Sequence, residues 1–167
     1  MRDREAITRG LGKEEGEPCL LFLLGGETYG IRVRMLREIV GPAKRRRLPS
    51  DEFKYCEELD YRGNRVPVIR LCDFFGYKSP PDAPQSVLVI EGERPFGLLV
   101  DSVKGVWNVR DSQMKPLPQL ATSLNPQYIR GIAKVEGKIT FFLNEDQFPQ
   151  TGGISSFYGS SEGQEEG

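Results

Sequence analysis

The chain contains no histidine, which removes the side chain that most often moves protons near neutral pH. General acid–base work would then fall to carboxylates, Lys, Tyr or Cys with strongly displaced pKa values. No GxSxG turn, HExxH helix or glycine-rich loop ending in Lys-Ser or Lys-Thr is present, so neither catalysis nor a cofactor is expected. The three cysteines, Cys19, Cys56 and Cys72, share no metal-type spacing; no metal site is expected, and they read as reduced thiols. No apolar run approaches the ~20 residues that cross a bilayer, so no direct membrane insertion is expected. Residues 1–17 lack the apolar centre of a secretory signal, which makes the expected location cytoplasmic. Basic and acidic residues nearly balance, 23 against 24, which argues against general affinity for polyanions.

What the chain has is a repeat. Phe22–Val40, FLLGGETYGIRVRMLREIV, reappears as Val89–Trp107, VIEGERPFGLLVDSVKGVW. Gly25 is matched by Gly92, Tyr29-Gly30-Ile31 by Phe96-Gly97-Leu98, and Val33 by Val100. Further on, Tyr55 pairs with Tyr128, Gly63 with Gly137, Asp73 with Asp146 and Phe75 with Phe148. Two sets of matches in the same order indicate a duplicated β-rich unit, since shared Gly-aromatic positions go beyond hydrophobic alternation.

Most of the remaining signal is period two. Leu20–Leu24 and Thr28–Val33 flank Gly25-Gly26-Glu27; Val66–Ile69 follows Arg62-Gly63-Asn64; Ile129–Val135 and Lys138–Leu143 flank Glu136-Gly137. Helical signal is thin: Met35, Leu36 and Ile39 fit about two turns, Asp51–Lys54 starts another, and Leu71–Phe75 and Asn144–Phe148 read as short closing helices. Strands at short, regular intervals with glycine turns point to a mainly β fold of small closed or nearly closed barrels with a few short helices. Residues 1–17 and 150–167, rich in charge, glycine and serine, are expected to be disordered. Lobe one is expected over about 18–79 and lobe two over about 80–149, with strand exchange allowed for and Pro-rich 78–85 as the link.

Four segments carry a family resemblance: Leu21–Val40 with its Tyr29-Gly30-Ile31; Asp60-Tyr61-Arg62-Gly63 followed by VPVIRL; Phe96-Gly97-Leu98-Leu99-Val100-Asp101-Ser102-Val103; and Tyr128-Ile129-Arg130-Gly131-Ile132. In this order and spacing the chain resembles the CheW family, the adaptors of bacterial chemotaxis, over roughly residues 18–148. The resemblance implies two intertwined, five-stranded SH3-like barrel lobes forming a non-enzymatic adaptor that couples methyl-accepting chemoreceptors to a CheA-type histidine kinase. It implies a receptor-tip site at Leu36, Glu38, Arg62, Val87 and Val106, whose leucine and valines would supply an apolar groove floor. On its turn, Arg62 is expected to bridge a nearby carboxylate such as Glu38. The kinase edge would lie near Val40, Lys44, Arg45 and Arg46. The departures fall around the expected receptor face: Asp60-Tyr61 replaces the family's Asn-Leu, Glu57-Glu58 stands where glycine and a small apolar residue are usual, and Arg70 replaces Asp.

The run Lys44-Arg45-Arg46-Arg47 is the other conspicuous cluster. Taken alone, such a run fits a solvated loop, a polyanion or an acidic partner face. With net charge −1 and no interleaved aromatics, nucleic acid is not expected and an acidic protein face is. The competing class is an SH3- or Tudor-type module for peptide or nucleic acid, which would line a groove with several Tyr or Trp; Trp107 is the single tryptophan.

Overall fold

The computed structural model describes residues 16–41, 45–48, 54–78, 85–118, 124–151 and 153–159. Among these the first repeat supplies β1 (Glu17–Leu24), β2 (Glu27–Arg32), β3 (Leu36–Val40), β4 (Arg45–Arg47), β5 (Cys56–Tyr61), β6 (Asn64–Arg70) and the one-turn helix α1 (Leu71–Phe74). The second supplies β7 (Ser86–Ile90), β8 (Phe96–Val100), β9 (Ser102–Val109), β10 (Ile129–Val135), β11 (Lys138–Leu143) and a 3-10 stretch at Glu145–Gln150. Mainly β with a few short helices, the fold is the expected one. The two-turn helix expected around Met35 is instead a single 3-10 turn, Val33–Met35, followed by β3. Strand pairing wins there because Leu36 and Val40 lie opposite Ile90 and Val87 of β7.

The strands form two sheets, ordered β10-β11-β2-β1-β9 and β3-β7-β8-β6-β5-β4. Each sheet takes the first hairpin of one repeat and the later strands of the other. The repeats thus exchange their opening hairpins reciprocally across the expected division at 18–79 and 80–149. Two parallel ladders join them, β11 to β2 with Phe142 opposite Gly30, and β6 to β8 with Val68 opposite Gly97. In each lobe the strand at one edge turns back toward the other edge. After β9, Lys115 exchanges two 2.8 Å backbone hydrogen bonds with Ile132 of β10, while β4, beyond β3, pairs with β5.

The shared Gly-aromatic positions now have a physical reason. A Cβ at Gly30 would lie 2.8 Å from Leu21 Cδ2 and from Phe142 Cε1; one at Gly97 would lie 2.7 Å from Val87 Cγ1 and 2.9 Å from Val68 Cγ2. Glycine at each repeat position lets a core side chain lie against the strand backbone. Gly30→Ala and Gly97→Ala are each expected to destabilise by about 1–3 kcal/mol through overpacking. Urea unfolding checks this, and midpoints unchanged from the parent would show that the neighbours yield freely.

The main core crosses both sheets, with Phe22, Tyr29, Phe96 and Phe148 fully or almost fully buried. Smaller cores lie within the lobes, one around Leu59, Val68 and Val87, the other around Leu21 and Phe142. The segment expected to be a disordered tail differs over 153–159, which is helical (α2). Ile154 and Phe157, three residues apart, are buried, and the Tyr158 hydroxyl donates to the Pro95 carbonyl. Its Gly/Ser-rich composition hides that apolar spacing. At the other end, β1 starts at Glu17, whose carboxylate meets Arg34 at 2.6 Å.

Candidate functional site

β3 is an edge strand whose residues alternate between half-buried and exposed. Leu36 packs on the main core and Val40 on the Leu59 cluster, while Ile39 between them is 42% exposed. Glu38, half-buried, receives a hydrogen bond from the Arg62 guanidinium, the bridge expected from the sequence. Arg62 stands on the β5–β6 turn at φ 51, followed by Gly63 at φ 79, and its guanidinium lies 5.4 Å from the Tyr61 ring centre. Two successive positive φ values are the signature of the tight hairpin turn whose twist matches its strands. The other lobe repeats the device: Glu136 at φ 50 precedes Gly137 at φ 79, and its carboxylate accepts from Trp107 Nε1 of β9 at 2.9 Å. In both lobes the turn residue reaches an edge strand.

Of the five residues named for the receptor, four reach the surface at least in part and Val87 does not. Glu38 and Arg62 meet, with Leu36 on the same strand. Val87 is fully buried beneath them, because β7 is enclosed on both faces from Val87 to Ile90; it is core, not groove floor. Val106 lies on β9 in the other sheet and is 44% exposed. Ile39 and Val106 occupy matching repeat positions, so each lobe presents one exposed aliphatic side chain on an edge strand. Sequence reasoning missed Ile39, although the repeat alignment pairs it with Val106.

The basic cluster finds its acidic face within the chain. Register places Arg46 opposite Glu58 and Arg47 opposite Glu57. Arg45 Nε donates to Glu57 at 2.7 Å and Arg46 to Glu58 at 2.6 Å, and Arg45 also reaches Gln85 at 3.1 Å. The Arg45–Glu57 pair is almost enclosed, with side chains 15% and 11% exposed, whereas Arg46 faces solvent. Lys44 lies outside the described residues. The two acids that depart from the family pattern and the basic run are thus two halves of one strand pairing. Arg70, another departure, donates to Asp73 at 2.6 Å and to the Lys54 carbonyl at 2.7 Å, fastening α1 to the start of β5.

The thiols take no part in this surface. All three are free and buried; burial pushes Cys19 up to about 12 and Cys56 to about 11, and Cys72 donates to Asp101 at 3.3 Å. Among the described residues no helix is long and apolar enough to cross a membrane. Tyr29, Phe22 and Phe96, fully or almost fully buried, are core.

A family model described as "CheW-like domain" matches residues 18–151. The chain is 28% identical over 140 residues to "Chemotaxis protein CheW" of Klebsiella aerogenes, covering 83% of this chain and 84% of that one. It is 30% identical over 114 residues to "Protein PilI" of Pseudomonas aeruginosa, covering 66% and 64%. Among solved structures, the scaffolding protein TtCheW from Thermoanaerobacter tengcongensis matches with a TM-score of 0.71 and 24% identity, over 77% of this chain and 84% of that one. At that identity the likeness speaks for the fold.

Proposed function

The chain belongs to the CheW family, and from that membership we propose how its two lobes divide their partners. It is a non-enzymatic adaptor of chemotaxis signalling. On this reading the Glu38–Arg62 edge receives the helical tip of a methyl-accepting chemoreceptor, and a CheA-type histidine kinase docks through its own similar domain. Val40, Ile39 and exposed Arg46 then belong to the kinase edge of that lobe, and Val106 offers the matching edge of the other. Arg45 is withdrawn from the contact, because its guanidinium is enclosed against Glu57. The expected location is the cytoplasm, beside the receptor tips.

The observation that carries the reading is the Glu38–Arg62 pair, surface-exposed and held by a fixed turn next to exposed Ile39. An exposed pair of this kind contributes at most about 1 kcal/mol to folding, so its position fits recognition better than stability. Arg62→Gly provides a clean test, since glycine adopts the positive φ without strain while the guanidinium is lost. Stability should stay within about 0.5 kcal/mol. Capture by an isolated receptor tip should fall roughly tenfold, with kinase affinity unchanged. Equal loss of both interactions, or unfolding, would reject the assignment.

A further inference from the structure

We propose that the groove between the β5–β6 turn, the β7–β8 connection and α2 is a docking site for an acidic peptide segment of a partner protein. The groove encloses about 630 Å³ and is lined by four arginines: Arg37 of β3, Arg62 and Arg65 around one turn, and Arg94 before β8. No carboxylate lines it among the described residues. Tyr61 forms part of its surface, and Phe157 and Tyr158 of α2 form a wall. Arg94 lies 5.0 Å from the centre of the Tyr158 ring, which holds that guanidinium at the mouth.

Three of these arginines meet acids at the margins: Arg62 is hydrogen-bonded to Glu38, whereas Arg37 and Arg65 are held more loosely. Arg37 is 3.7 Å from Glu91, with both side chains about half exposed. Arg65 is 3.6 Å from Glu58, a carboxylate already engaged by Arg46 at 2.6 Å. Asp60, opposite Arg65 in register, lines the neighbouring pocket with it. Exposed, loosely held pairs of this sort contribute little, so an incoming carboxylate can exchange for them. A guanidinium offers a planar two-pronged donor that matches a carboxylate, and several converging on one groove select charge and direction together.

The same features disfavour a nucleic acid. Single strands bind through exposed aromatic platforms along an extended basic track, whereas Tyr61 and Phe157 are only 7% and 8% exposed. Glu38, Glu58 and Glu91 at the margins would repel a long polyanion. A short acidic peptide fits between them. The wall formed by α2 lies beyond residue 151, where the family match ends, so the matched domain alone does not complete the groove.

Because Arg62 belongs to both the groove and the receptor-facing pair, the occupant is the receptor side; that identity rests on the adaptor reading, whereas the charge selectivity does not. The test uses the full chain and two fluorescein-labelled peptides, Glu-Glu-Leu-Glu-Glu and its neutral counterpart Gln-Gln-Leu-Gln-Gln, followed by anisotropy. The acidic peptide should bind and the neutral one should not, with affinity falling between about 50 and 300 mM salt. The double variant Arg37→Gln, Arg65→Gln should weaken acidic-peptide binding roughly tenfold or more, while Arg110→Gln, which lines no part of the groove, should leave it unchanged. Equal binding of both peptides, or an unaffected double variant, overturns the groove. Lost peptide binding with receptor-tip capture intact overturns only the receptor as occupant.

Discussion

Glu145→Ala is expected to lower unfolding stability by about 3–5 kcal/mol, the cost of leaving one partner of a buried ion pair alone. Glu145 is fully buried at the start of the 3-10 stretch after β11, and Arg32 at the end of β2 is nearly so. The carboxylate accepts from Arg32 Nη2 at 2.8 Å, from its Nε at 3.1 Å and from its backbone N–H at 2.7 Å. Burial alone would lower the Arg32 pKa, but the hydrogen bonds and charge of Glu145 reverse that and raise it. Truncation strands a guanidinium that is left with exposed Asp146 at 3.6 Å, too distant to replace three short bonds. In a chain of this size the loss corresponds to a fall in Tm of roughly 6–20 °C. Glu145→Gln keeps the shape and an acceptor, so its loss should be clearly smaller. Thermal and urea unfolding of both variants decides this; an alanine variant as stable as the parent would mean that the pair contributes nothing.

Tyr29→Ala should be comparably damaging, by about 3–5 kcal/mol, the range for emptying an aromatic site in a packed core. Tyr29 is fully buried, with ring centres 5.3 Å from Phe141, 5.6 Å from Phe75 and 6.3 Å from Phe22. Those rings belong to β11, the end of α1 and β1, so one side chain joins elements of both repeats. The Tyr29 hydroxyl lies 2.7 Å from the Tyr77 hydroxyl, and burial with that bond holds its pKa well above the ordinary range. Tyr29→Phe retains the ring and forfeits the bond, for about 0.5–1.5 kcal/mol. If both substitutions cost the same, the hydroxyl pair rather than the packing carries the site.

What could be read from the sequence was local. The turns were legible because glycine at Gly63 and Gly137 marks positive φ, and the repeat was legible because Gly30 and Gly97 serve the same close contact in both copies. Glu38 and Arg62 were expected to meet, and they do. The hairpin exchange left no comparable mark. Its ladders, β11 on β2 and β6 on β8, join residues far apart in sequence, and parallel pairing has no turn to announce it. Val87 was ambiguous because a strand buried on both faces loses its alternation. The internal partners of the basic run were not legible for want of register: only the pairing of β4 with β5 sets Arg45 and Arg46 against Glu57 and Glu58. At α2, Ile154 and Phe157 carried the signal, but glycine and serine outnumbered them.

The crossed hairpins say something about ancestry. A single repeat would have an opening hairpin with no strands of its own to lie against, and later strands with a gap where a hairpin belongs. Two separate copies would satisfy each other only by lending hairpins in both directions, as in a domain-swapped homodimer. The present chain has the form of such a dimer with its subunits fused end to end. What would have been the contact between two molecules is now the interior of one, and it no longer depends on protein concentration for its existence. In one chain the two halves need not match, and here one turn holds Arg62 and the other Glu136, so each lobe presents a different face.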